Sequence, residues 1–166
     1  MVLQRLAEVI DRASDRLGRS SAWLTLVMVA LMALIVVLRY VFRSGSIALQ
    51  ESVIYVNALI FMLGAAYTLK EQGHVRVDIF YRNLSERRRA LIDVLGYVFF
   101  LFPTMLFILY ISWDYVAIAW RIREGSAETS GLPFVYLLKS ALIGLAALLL
   151  LQGVSEFCKA LARLRS

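Results

Sequence analysis

The stretch SVIYVNALIFMLGAAYTL-KEQGHVRVD, residues 52–78, decides the fold of this chain. Ser52 to Leu69 is an uncharged run of eighteen residues, close to the roughly twenty apolar residues that a helix needs to cross a hydrocarbon core of about 30 Å. Charge then begins abruptly, with Lys70, Glu71, Arg76 and Asp78, and the chain's one histidine, His74, sits among them. The sequence therefore specifies a membrane exit at this point.

Three further apolar runs lie outside that stretch. With 61% of its 166 residues hydrophobic and 18% charged, the chain reads as an all-α integral membrane protein. Four transmembrane helices are expected over about 20–42, 50–70, 90–120 and 134–158, forming one domain over 20–158. The fourth contains Lys139 and Glu156, and Lys139 can reach the headgroups along its aliphatic stem. Residues 159–166 form a basic tail. The first run is not expected to be a signal peptide, because nineteen residues precede it and no small-residue cleavage pattern follows. In residues 1–19, Leu3, Leu6, Ile10, Ala13 and Leu17 recur at spacings of three and four. That spacing predicts an amphipathic helix on the membrane surface or against a partner.

The basic residues set the expected orientation. Arg5, Arg12, Arg16 and Arg19, then Lys70, Arg76, Arg82, Arg87, Arg88 and Arg89, then Lys159, Arg163 and Arg165 make thirteen on one side. Arg39, Arg43, Arg121, Arg123 and Lys139 remain on the other. Both termini are therefore expected in the cytoplasm, with the protein multi-pass in a bacterial inner membrane. Anionic membrane lipids account for the net charge of +6, at about 1 kcal/mol per basic residue near the surface, so no nucleic-acid partner is expected.

Within the spans, Asn57, Gly64 and Thr68 share a stripe of the second helix with Phe61, and Ser140, Gly144 and Gln152 share one of the fourth. Small residues with amides or hydroxyls at such spacing point to helix packing. Arg39 ends the first span and Glu51 begins the second, where the two are placed to pair across a short loop. Pro103 is expected to bend the third helix.

The residue inventory argues against enzyme chemistry. One histidine cannot supply both axial ligands of a bis-histidine haem, and His74 with Cys158 makes half a tetrahedral zinc set. No nucleophile-elbow motif accompanies a serine. The chain is therefore read with no catalytic, cofactor or metal site. No Asp or Glu falls in the middle of a span, and neither broken helices nor internal repeats are evident, which weighs against a stand-alone transporter.

Four pieces in register carry a family resemblance: Val37-Leu-Arg-Tyr-Val-Phe42, Gln50-Glu-Ser52, Leu63-Gly-Ala-Ala-Tyr67 running to Gly73-His-Val-Arg-Val-Asp78, and Glu128-Thr-Ser-Gly-Leu-Pro133 with Lys139-Ser140 and Leu151-Gln-Gly153. Over about Ala22 to Ser155 the chain resembles the small membrane subunit of tripartite ATP-independent periplasmic (TRAP) transporters, the DctQ-like family. The resemblance implies a non-catalytic subunit that braces a large TRAP membrane subunit, which itself carries the substrate and sodium sites. It also implies a periplasmic substrate-binding protein as a further partner, and small organic acids as cargo. Arg39, Glu51, His74 and Asp78 are then the family-like polar residues. His74 and Asp78, four apart, meet on one helical turn and would fix the loop after the second helix. Arg43, Arg121, Arg123, Glu124 and Glu128 form a mixed-charge periplasmic rim that a binding protein could contact. The alternative is an independent small homo-oligomeric transporter or pore.

Overall fold

The computed structural model describes residues 2–73 and 84–165. Helix α1 runs from Val2 to Tyr40 and α2 from Ile47 to Lys70. Helix α3 spans Glu86–Gly96 and passes through a π-helical turn, Tyr97–Leu101, into α4, Phe102–Ile122. Helix α5 is Val135–Arg165. No strand occurs among the described residues. Four helical stretches, Ala7–Tyr40, Ile47–Lys70, Glu86–Ile122 and Val135–Leu164, are long and apolar enough to cross a membrane, in agreement with the all-α, four-span reading.

The backbone shows no break at residues 19 and 20, where the sequence suggests a boundary. Ser20 and Ser21 donate their hydroxyls back to the carbonyls of Arg16 and Gly18, at 2.9 and 2.7 Å, a bonding pattern that serine can adopt without leaving the helix. Of the apolar stripe expected in residues 1–19, Ile10 and Leu17 are half-buried. Ala7, Ser14 and Ser21, seven apart, are buried, whereas Ala13 is exposed. Short side chains on that stripe let the neighbouring helices approach closely.

Pro103 explains the π turn. It has no N–H to offer the carbonyl of Phe99, and its ring would collide with that carbonyl in a regular helix. The ladder widens immediately before it, and the Phe102 N–H reaches the Tyr97 carbonyl. The widened turn sets Leu101 and Phe102 over Gly153 of α5, and Phe102 meets Phe157 edge-on at 5.9 Å between ring centroids. Leu69, Tyr97 and Ala160 form the buried centre of this contact, with Val94 and Leu149 around them.

Helix α5 is the hub of the array, packing on α1, α2, α3 and α4, while α1 packs most extensively on α2 and α4 on α5. Two helix ends use the same left-handed stop. At the end of α2, Gln72 (φ 53°) lets the Gly73 N–H reach the Thr68 carbonyl at 2.9 Å. At the end of α4, Arg123 (φ 50°) lets the Glu124 N–H reach the Ala119 carbonyl at 3.0 Å. Both are the six-to-one bond of a Schellman stop.

Candidate functional site

Hydrogen-bonding side chains gather in two layers, one at each end of the helices. At the end holding both chain termini, Gln152 is fully buried. It accepts from Ser14 Oγ at 2.6 Å and donates to Asp11 at 2.9 Å and Glu156 at 3.2 Å. Ser155 Oγ donates to Asp11 at 2.8 Å, and Lys159 Nζ bridges Asp11 (2.7 Å) and Glu156 (2.6 Å). The lysine offsets the cost of burying Glu156, which is 3% exposed. Lys70 joins α2 to α1 through Asp15 at 2.5 Å, and Arg163 lies 3.6 Å from Asp93 of α3. Gly18 makes room for Tyr67 beside this layer: a Cβ there would strike the ring, with Tyr67 Cβ at 2.9 Å.

At the loop end, Glu51 is the organising side chain. One carboxylate oxygen accepts from Ser126 Oγ and the other from the Leu132 backbone N–H at 2.6 Å. The loop closes on itself through Ser126 N–H to the Leu132 carbonyl, 2.9 Å, and Gly131 N–H to the Glu128 carbonyl, 3.0 Å. Gly131 is required by closeness, since a Cβ would lie 2.7 Å from Glu51 Oε1. Helices α4 and α5 are joined by Lys139 to Glu124, at 2.6 and 2.7 Å, with the lysine 3.9 Å from the centroid of the Tyr115 ring. Trp120 Nε1 donates to Ser140 Oγ at 2.7 Å and its ring meets Tyr136 edge-on.

The residues singled out from sequence divide between these layers and the surface. Glu51 does not meet Arg39: it is taken up by the loop, and Arg39 is exposed and forms no ion pair among the described residues. Gly64 faces Ser21 of α1 at 3.9 Å, and Thr68 donates to the Gly64 carbonyl. Asn57 and Phe61, on the same stripe, are exposed. Ser140 and Gln152 join α5 to its neighbours, whereas a Cβ at Gly144 would meet nothing within 4 Å. Of the expected rim, Glu124 is engaged by Lys139, Arg123 lies 5.9 Å from the Tyr136 ring centroid, and Arg43, Arg121 and Glu128 are exposed. His74 and Asp78 lie outside the described residues.

Sequence reading passed over Asp11, Ser14, Asp15, Ser126 and Lys159. The small residues at 7, 14 and 21 gave a usable signal for the α1 contact. The partners of Glu51, 75 and 81 residues away, gave none.

The family model described as "Tripartite ATP-independent periplasmic transporters, DctQ component" matches residues 7–163. The chain belongs to the DctQ family. No curated protein and no solved structure matches it. Nearly the whole chain is thus a transporter component, and the matched region takes in all four membrane-capable helices of this DctQ member but for Leu164 at the end of the fourth. The tripartite description implies partners of the kind the resemblance named, a large membrane subunit and a periplasmic binding protein.

Proposed function

We propose that this chain is the small, non-catalytic subunit of a sodium-gradient-driven importer of small organic acids, and that it acts as a brace for the large transport subunit. The family match supports the assignment, and the two polar layers support the bracing role: one ties α1 and α3 to the hub helix and α2 to α1, and the other ties α4 to the hub helix and α2 to the loop before it. The chain sits in the bacterial inner membrane with both termini in the cytoplasm, so the layer around Gln152 is cytoplasmic and the layer around Glu51 periplasmic. Its thirteen basic residues on the cytoplasmic side meet anionic headgroups. His74 and Asp78 fix the loop after α2 against the large subunit.

The Glu51-held loop supplies a rigid periplasmic platform on which Arg43, Arg121, Arg123 and Glu128 receive the binding protein. Rim charges act chiefly on encounter rate. Reversing these four charges is expected to slow uptake in proteoliposomes carrying all three components, most strongly at low salt; unchanged uptake would remove the docking role. The bracing role is tested by omission. Uptake should require this chain together with the large subunit and the binding protein, and uptake by this chain alone would overturn the assignment.

A further inference from the structure

Among the described residues, Asn57 is an amide in the interior of a span that the fold leaves outside, and its surroundings say what should cover it. Five hydroxyl side chains in these helices, those of Ser21, Thr25, Ser52, Thr68 and Ser140, each donate to a carbonyl three or four residues earlier, and the Tyr55 hydroxyl, though without a partner, is buried inside the chain. Gln152, the comparable amide in α5, is enclosed and bonded on both sides. Asn57 is exposed and has no hydrogen-bond partner among the described residues. It lies six residues beyond Glu51 and thirteen before Lys70, roughly 9 Å and 20 Å along the helix. These two polar layers bracket a thickness of roughly 28 Å, so the amide is well inside the hydrocarbon. Ile54 (58% exposed) and Phe61 (80% exposed) flank it one turn on either side, and Gln50 continues the exposed stripe towards the loop end.

Lipid chains cover Ile54 and Phe61 as well as protein does, but they offer an amide no hydrogen bond. The exposed face of α4 and of the turn before it carries Phe100, Leu106, Phe107 and Ile111, and its polar atoms are the hydroxyls of Thr104 and Tyr110 rather than an amide. Asp114 on α4 is exposed too, yet it adjoins Tyr115, whose ring meets Lys139, and so belongs to the loop-end charged layer. A soluble component cannot reach the depth of Asn57, which leaves a membrane-spanning partner.

We propose that the α2 stripe Gln50, Ile54, Asn57 and Phe61 is the seat of a transmembrane helix of the large subunit, which presents a hydrogen-bonding side chain or a freed backbone carbonyl to Asn57 near mid-membrane. The proposal rests on the bracing role and assigns it to one helix face. Phe61 packs against the same helix and shields the amide contact from lipid.

The test uses membranes containing the whole complex, with p-benzoylphenylalanine replacing Phe61 in one chain and Phe107 of α4 in another. Irradiation is expected to join the chain to the large subunit from position 61 and not from 107. Separately, Asn57→Leu is expected to lower retention of the large subunit in detergent about threefold, while leaving thermal unfolding of the isolated chain unchanged because the amide bonds to nothing within it. Adducts from 107 alone would overturn the face and leave the bracing role standing. Adducts from 61 to lipid only, or to a second copy of this chain, would overturn the assigned occupant. If no large membrane protein accompanies the wild-type chain at all, the bracing role and this inference both fall.

Discussion

At the residue scale, close approach and buried charge decide what this chain tolerates. Gly18 is where α1 admits the Tyr67 ring, and the atoms in the way are the ring's root, which cannot swing aside. Gly18→Ala should therefore cost about 1–3 kcal/mol in thermal unfolding, and Tyr67→Ala in the same chain should recover part of that loss. Independent losses from the two changes would show that they do not share a contact. Glu51 holds Leu132 by its amide, so Glu51→Ala should raise hydrogen exchange at Leu132 roughly tenfold or more, with little change near Gln152. Charges in the sequence announced themselves as boundary residues because hydrocarbon excludes them. Their partners were not legible: Glu51 was placed opposite Arg39 by nearness along the chain, and the carboxylate finds better-aimed donors in the loop before α5.

At the element scale, the helices were the most legible part of the sequence, because uncharged length alone sets a membrane span. Their faces were less so. The apolar stripe from Leu3 to Leu17 suggests a surface helix, but in a chain this rich in leucine an apolar stripe does not distinguish lipid from protein, and the residues of α1 that are buried here are the small ones, Ala7, Ser14 and Ser21, with Ile10 and Leu17 half-buried beside them. Pro103 was legible as a bend, and the fold resolves it into a widened turn whose purpose is local fit over Gly153. Gly153→Leu should drive off Leu101 and Phe102, whose nearest atoms would be 2.5 and 3.2 Å from the first added carbon. The expected loss is about 1–3 kcal/mol. Near-ultraviolet circular dichroism should report it through the Phe102–Phe157 pair.

At the scale of the whole molecule, the four-span architecture and the family were legible from order and spacing, while the hub position of α5 was not, because adjacency of helices is settled by contacts that no single segment contains. The two layers lie at opposite ends of that hub: Lys139 and Gln152 are thirteen residues apart, roughly 20 Å along α5. Losses from Lys139→Ala and Gln152→Leu should accordingly add in thermal unfolding, whereas strong coupling would mean that α5 shifts as a rod when either end is released. That arrangement has a consequence for the surrounding lipid. Fixed polar ties at both ends hold the molecule to one hydrophobic thickness. A bilayer of markedly shorter acyl chains would have to thicken around it, or tilt it, at a fraction of a kcal/mol per ångström. The chain should therefore act as a gauge of bilayer thickness, most stable in membranes that match the span from Glu51 to Lys70.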